Sequence, residues 1–141
     1  MNSEESERTT TVGECCAPLV VEEVELAPQP TAVREARCVA ARVCSAAKVP
    51  PEVCETAILL ASELVTNAVI HAQPPVRMTV VANAAEIRVE VSDGAQQLPV
   101  LRERSCTPGG RGMYLVHNCA SRWGVQPDAR GKVVWFEIRA A

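Results

Sequence analysis

The spacing of hydrophobic residues divides this chain into strands and helices. Alternation of apolar and polar residues predicts strands, because successive side chains of a strand point to opposite faces. Apolar residues that recur every three or four positions predict helices, because they share one helical face. The predicted elements are a strand over 19–26, a helix capped by Thr31, a helix from Pro51 that ends before Pro74, strands over 76–82 and 86–91, a helix over 113–121, and strands over 122–126 and 132–138. Asn83–Ala85 is the predicted turn between the strands over 76–82 and 86–91.

This order of elements predicts the fold class and the domain organisation. Two helices, a hairpin, a third helix and a second hairpin predict an α+β fold of two layers, with helices on one face of a mixed, mostly antiparallel sheet. Residues 1–17 show no periodicity and are expected to form a disordered tail. Residues 18–141 show no repeat and are expected to form a single domain.

Composition and charge narrow the class of protein. Hydrophobic residues make up 48% of the 141 residues and charged residues 22%, which is typical of a soluble globular domain. The net charge of −3 gives no general attraction to nucleic acid or to an anionic membrane. The acidic, polar N-terminal residues are unlike a signal peptide, and no apolar run approaches the roughly 20 residues of a membrane span. We therefore expect a cytoplasmic protein that binds neither nucleic acid nor membrane.

Seven cysteines raise the question of a metal site or of disulfides. None forms a C-x2-C pair, and neither His71 nor His117 stands at a ligand-like spacing from them. A reducing cytoplasm would keep them as thiols. The sequence therefore disfavours a metal centre, and it predicts that the cysteines within helices act as small hydrophobic residues, namely Cys38, Cys44, Cys54 and Cys119.

The long helix carries three polar residues in line. Glu63, Asn67 and His71 are four positions apart, so they share one face, with about 6 Å along the axis between neighbours. The rest of the helix is apolar, and a buried polar group without a partner costs about 1–3 kcal/mol, so these residues need partners. An amide oxygen suits Mg²⁺ and a carboxylate can act as a base. The alternatives are a solvated polar stripe and, for His71, a stabilising position near the helix C-terminus.

An Asp-Gly pair follows the predicted strand over 86–91. Asp93 and Gly94 form either a tight hairpin turn or a site where a ligand approaches the backbone closely. The residues that follow do not return as an alternating strand, and Pro99 would interrupt one. This favours the second reading, in which the Asp93 carboxylate accepts a hydrogen bond from an exocyclic amine of a base.

A glycine-rich turn precedes the third helix. It consists of Gly109, Gly110, Arg111 and Gly112, and Met113 follows it. Free N–H groups at a helix start bind anions, and an arginine adds a donor for phosphate, although a plain flexible loop fits the composition equally well. The turn matches neither the dinucleotide fingerprint nor the P-loop, and Val133 follows Gly131 and Lys132 where a P-loop has Ser or Thr.

In this order the three segments resemble the ATP-binding family of DNA gyrase, Hsp90 chaperones, histidine kinases and MutL. ELVTNAVIHA is similar to its N box, VSDG to its first glycine box, and GGRGMYLV to its second. The single-domain anti-sigma-factor serine kinases are the most similar branch, which also has the ending RWGV…GKVVWFE. The resemblance covers about residues 18–139 and implies a Bergerat-type fold.

The resemblance also implies ATP and Mg²⁺ as cofactors and assigns roles to the matching residues. Glu63 would be the catalytic base and Asn67 the Mg²⁺ ligand, while Asp93 would bind adenine. The remaining nucleotide-binding residues would be His71, Gly94, Gly109, Gly110, Arg111, Gly112 and Met113. Ala95, Gln96 and Gln97 follow Gly94 where the family has further glycines.

Two functions of different class follow from this resemblance. The first is a serine/threonine kinase of the anti-sigma-factor type, which regulates transcription by phosphorylating an antagonist protein. The second is a nucleotide-gated module that sequesters a transcription regulator without phosphoryl transfer. The implied partners are an antagonist-like protein or a sigma factor, with a homodimer as a further option. A histidine-kinase catalytic domain ranks lower and a gyrase- or chaperone-like ATPase lowest.

Overall fold

The computed structural model describes residues 18–71, 75–94, 112–128 and 131–140. The predicted tail over 1–17 lies outside these residues. The helices and strands are β1 (Val20–Leu26), α1 (Thr31–Ala47), α2 (Pro51–His71), β2 (Val76–Asn83), β3 (Glu86–Asp93), α3 (Gly112–Cys119), β4 (Arg122–Asp128) and β5 (Gly131–Arg139).

The five strands form one open sheet in the order β1-β2-β3-β5-β4. The predicted α+β class is therefore confirmed. The sheet had been expected to be mixed, but the four strand pairings between described residues are all antiparallel. At one end of the sheet, Arg77 of β2 pairs with Ser92 of β3, and Asp93 of β3 pairs with Lys132 of β5.

The hydrophobic core lies between the helices and one face of the sheet. Alternate residues of the central strands are buried, as the period of a strand requires. Helix α1 packs on β1 and β2, whereas α2 packs on β3, β5, α1 and α3. Valine and alanine dominate this core, with Phe136 as its largest fully buried side chain. No described element covers the opposite face of the sheet, which we call the open face.

Helix α2 corrects the expectation about membrane spans. Its segment Pro51–Ile70 is long and apolar enough to cross a membrane by length and composition. The core helix of a soluble protein passes the same test, so this is weak support for a membrane. Residues such as Leu60 and Leu64 of α2 are buried in the core, which accounts for its apolar character.

The element ends show where local prediction was wrong. Thr31 is the first residue of α1 rather than its cap, and no side chain caps the helix; the N–H of Ala32 donates to the carbonyl of Gln29 instead, at 2.9 Å. Strand β3 continues through Asp93, so this aspartate is part of the sheet and not of a loop. The predicted turn after β2 is present, and Asn83 Oδ1 accepts a hydrogen bond from the Ala85 N–H at 2.8 Å.

Candidate nucleotide site

The chain path brings the described members of the predicted site to one end of the sheet. Only residues 72–75 separate the end of α2 from β2, and β2 starts beside the end of β3. Helix α3 packs on β4 and is joined to it by two residues, so the two elements run in opposite directions. The start of α3 therefore points to the end of the sheet where Asp93 meets Lys132.

Asn67 has a buried polar atom that no described residue satisfies. Its Oδ1 is buried and accepts no hydrogen bond within the part of the chain that the structure describes. Its helical neighbours differ, because the hydroxyls of Ser62 and Thr66 donate to the carbonyls of Ile58 and Ser62 at 2.8 and 2.7 Å. Since a buried acceptor without a partner costs about 1–3 kcal/mol, Asn67 is the residue of this helix that a ligand contact would stabilise most.

Glu63 lies one turn before Asn67 and is half-buried. It is thus shielded by the fold but still reaches the surface, which suits a base that meets a partner's hydroxyl. His71 is the last residue of α2, and the description of the structure does not extend to its side chain.

Asp93 is held by a partner that the sequence did not predict. The ammonium Nζ of Lys132 donates to Oδ1 and to Oδ2 of Asp93, each at 3.0 Å. The two residues are direct cross-strand partners whose side chains point to the helix-covered face. Both side chains are nine-tenths or more buried, at 9% exposure for Lys132 and 3% for Asp93. The sequence placed Lys132 in an imperfect P-loop match and in the ending GKVVWFE, without a role in the site, and the register that pairs it with Asp93 cannot be predicted from local spacing.

Gly131 fixes the backbone next to this pair. A Cβ at this position would lie 1.9 Å from the carbonyl oxygen of Asp93 and 2.6 Å from the Cα of Gly94. Its φ of +156° is also one that other residues rarely adopt. Glycine is therefore required at position 131, because the ends of β3 and β5 approach each other too closely for a side chain.

The second glycine box is only partly visible. Gly112 is the first residue of α3, whereas Gly109, Gly110 and Arg111 lie outside the described residues. Met113 has its side chain in the hydrophobic core at 2% exposure, so only its backbone N–H is available for the anion-binding role. The predicted phosphate turn thus stays a prediction, with its helix confirmed.

These residues fit ATP and Mg²⁺ in their chemistry. The unsatisfied Oδ1 of Asn67 is a hard, neutral oxygen of the kind that Mg²⁺ accepts as a ligand. The N-terminal end of α3 supplies backbone N–H groups for phosphate. Asp93 supplies a carboxylate for a base, in the company of an ammonium.

The cysteines do not form a metal centre within the described residues, where no group of three His, Cys, Asp or Glu side chains could hold an ion. Cys44 is buried beside Cys54; burial first, and this neighbour second, raise the pKa of the Cys44 thiol to about 12. Cys38 and Cys119 are exposed, so the prediction that all helical cysteines fill the core is wrong for these two.

Comparisons with known proteins agree with this fold. The model of a family described as the histidine kinase-like ATPase domain matches residues 26–138. A solved structure is similar over 85% of this chain with a TM-score of 0.65: the crystal structure of the RsbU and RsbW domains of Rv1364c from Mycobacterium tuberculosis. The identity is 17%, which shows the fold alone, and this chain spans 32% of that one. A search of the curated proteins found no match.

Proposed function

Because the chain belongs to the histidine kinase-like ATPase domain family, we propose that it is an ATP-binding regulatory protein that phosphorylates a serine or threonine of a partner. ATP binding is what the family leads us to expect. The transfer to a hydroxyl, the partner and the cytoplasmic location are parts of the proposal.

The observation that carries the proposal is the unsatisfied Asn67 Oδ1, one helical turn from Glu63. A helix that buries an amide oxygen without a partner lowers its stability unless a ligand completes the contact. A solvated polar stripe, the alternative for these residues, would leave this atom in water. Burial of the oxygen therefore favours the ligand-binding role of Asn67.

Each residue has a distinct task in the proposed reaction. Mg²⁺–ATP, when bound, supplies the phosphoryl group that is transferred. Asn67 would hold the metal through its Oδ1, and the backbone N–H groups at the start of α3 would bind the phosphates. Glu63 accepts the proton of the partner's hydroxyl as that oxygen attacks the terminal phosphorus, whose bond to the leaving ADP oxygen breaks.

Replacing Glu63 tests this assignment. Glu63→Gln keeps the size of the side chain but removes the base, so phosphorylation of the partner should fall by about 10²-fold or more while nucleotide binding is retained. The matched control is Glu55→Gln, which removes a carboxylate from an exposed position of the same helix. Phosphorylation is measured by mass spectrometry and binding by calorimetry with ATP, with and without Mg²⁺.

A nucleotide-gated binding module is the second candidate. It is favoured by the departure at Ala95, Gln96 and Gln97, which replace glycines of the first glycine box. It predicts partner capture that depends on ATP, no phosphorylation by the parent protein, and no effect of Glu63→Gln. A pull-down run beside the phosphorylation assay separates the two functions. No heat with ATP at millimolar concentration would contradict both.

The partner is proposed to be an antagonist-like protein of the anti-sigma type or a sigma factor. The support is the likeness to a structure that contains an RsbW domain beside an RsbU domain in one chain. Size-exclusion chromatography with light scattering distinguishes a complex with such a partner from a homodimer.

A further inference from the structure

We propose that Lys132 reads the base of the bound nucleotide together with Asp93, so that the site accepts a purine with a 6-keto group as well as one with a 6-amino group. The inference rests on the proposed nucleotide site. It adds a residue that determines base specificity, and it widens the class of ligand from adenine to 6-oxopurine nucleotides.

A ligand that contacts the Asp93 carboxylate must also contact the Lys132 ammonium. The ammonium lies 3.0 Å from each carboxylate oxygen, and the Asp93 side chain is 3% exposed. Cross-strand register places the two side chains side by side, and glycine at position 131 allows the two strand ends to approach this closely. A base that approaches this carboxylate therefore meets the ammonium as well.

The chemistry of the pair differs from that of a lone carboxylate. A carboxylate is acceptor-only, so it favours the 6-amino group of adenine and repels the 6-keto oxygen of hypoxanthine or guanine. An ammonium is donor-only with three N–H groups, of which the two oxygens of Asp93 engage two. The third can donate to a keto oxygen, as lysine does when it contacts O6 of guanine in nucleic acids.

The pair thus presents one donor and one acceptor next to each other. Adenine uses the acceptor through its 6-amino group, and a 6-oxopurine uses the donor through O6 and the acceptor through its N1–H. A purine without a 6-substituent lacks the exocyclic group in both cases and loses that hydrogen bond.

A series of nucleotides that differ at the 6-position tests the proposal on the unaltered protein. Calorimetry compares ATP, inosine triphosphate and purine riboside triphosphate in the presence of Mg²⁺. Inosine triphosphate is used because it has the 6-keto group without the additional 2-amino group of GTP. We expect dissociation constants for ATP and inosine triphosphate within about fivefold of each other, and binding about tenfold weaker for the unsubstituted purine, since one charge-assisted hydrogen bond is lost.

The variant Lys132→Met assigns the effect to this residue. It removes the donor while keeping a side chain of similar length, so inosine triphosphate should lose about tenfold more affinity than ATP does. Lys48→Met is the matched control, because Lys48 is exposed at the end of α1 and is the only other lysine of the chain. Circular dichroism establishes that the variant is folded, and if it is not, the series on the unaltered protein decides.

The outcomes separate this inference from the proposed function. ATP binding without binding of inosine triphosphate would overturn the inference and leave the ATP site standing. The same holds for a folded Lys132→Met variant that binds both nucleotides in the ratio of the parent. Absence of binding by all three nucleotides would overturn the site and the inference together.

Discussion

Strands β3 and β5 carry ionic contacts on both faces of the sheet, and the two sets differ in their surroundings. On the helix-covered face, Asp93 and Lys132 form a buried pair. On the open face, Arg88 lies between two carboxylates: its Nη1 is 2.6 Å from Glu137, and its Nε is 2.8 Å from Glu90. The guanidinium of Arg122 also contacts Glu137, at 2.9 Å. We call these four residues the open-face cluster.

The open-face cluster also organises the aromatic surface of the sheet. The Arg88 guanidinium carbon lies 4.2 Å from the centroid of the Trp135 ring, which is a cation–π distance. The ring covers Gly124 of the edge strand β4, where a Cβ would lie 2.8 Å from its atoms. These contacts are reached by water at their edges, since the Arg88 side chain is 30% exposed and that of Arg122 58%.

The comparison shows that the same kind of pair has different consequences in different surroundings. A pair near water contributes about 0–1 kcal/mol, and salt screens it. Burial of an ion pair away from water costs desolvation free energy. Removal of one partner therefore leaves a charge that neither solvent nor protein stabilises. Such a pair at the end of a sheet, beside the proposed nucleotide site, is better explained by a specific role than by stability. Four measurements sharpen or break this contrast.

The largest effect is expected from removing one member of the buried pair. Lys132→Met leaves the Asp93 carboxylate buried and should lower the free energy of unfolding by about 3–5 kcal/mol. The double variant Asp93→Asn with Lys132→Met removes both charges and should recover most of this loss. Urea unfolding followed by circular dichroism measures both. A loss below about 1 kcal/mol in the single variant would show that the pair behaves like a solvent-exposed ion pair.

This expectation also changes how Asp93 should be tested for base recognition. Asp93→Asn alone leaves the Lys132 ammonium without its charge partner, so a loss of ATP affinity would mix base recognition with a rearranged site. The nucleotide series on the unaltered protein avoids that confusion, because both members of the pair stay in place.

A second, smaller effect compares the two glycines of these regions. Gly131→Ala places a Cβ against the backbone of Asp93 and should cost about 3 kcal/mol, because backbone must move. In Gly124→Ala the atoms nearest to the new Cβ belong to the side chain of Trp135, which can move more easily than backbone, so this change should cost about 1 kcal/mol. Urea unfolding measures both, and the fluorescence of Trp135, recorded with Trp123→Phe as background, should change in the Gly124 variant. Equal costs would contradict the distinction between a fixed and an adjustable neighbour.

A third effect concerns the pH dependence of the open-face cluster. Partial burial alone would raise the pKa of Glu137, but the hydrogen bonds and charges of Arg122 and Arg88 outweigh it and hold the pKa below the ordinary 4.5. A lowered pKa in the folded state stabilises the protein above the unfolded pKa, and this stabilisation is lost as pH falls through the folded pKa. The free energy of unfolding of Glu137→Gln should therefore fall less than that of the parent as the pH drops below about 5. The expected difference between the two losses is about 1 kcal/mol.

The smallest effect is the salt dependence of the same cluster. Raising NaCl to about 1 M shortens the screening length to about 3 Å, so the difference in unfolding free energy between Glu137→Gln and the parent should shrink by a few tenths of a kcal/mol. The difference between Lys132→Met and the parent should not change, because the buried pair is out of reach of ions. Equal salt dependence of the two differences would show that both regions are solvated alike.

Much of the fold was determined by local sequence. Alternation predicted the central strands, helical spacing predicted the apolar α2, and Asn83 predicted the turn between β2 and β3. These features depend on side-chain period and on turn chemistry, which act within a few residues. The serial order of Glu63, Asn67, Asp93 and the glycine turn was sufficient to indicate the family.

Tertiary structure decided what the sequence could not. Asp93 and Lys132 are 39 positions apart in sequence, and their pairing depends on the register of β3 and β5. The need for glycine at position 131 depends on the close approach of the ends of these strands. The bond of Thr66 to its own helix is local, whereas the burial of Asn67 Oδ1, which accepts no hydrogen bond from the described residues, depends on how α2 packs against the rest of the fold. Local sequence sets the period of each element, whereas long-range packing decides which polar atoms are buried away from water. Burial in turn decides which polar atoms a bound ligand would stabilise.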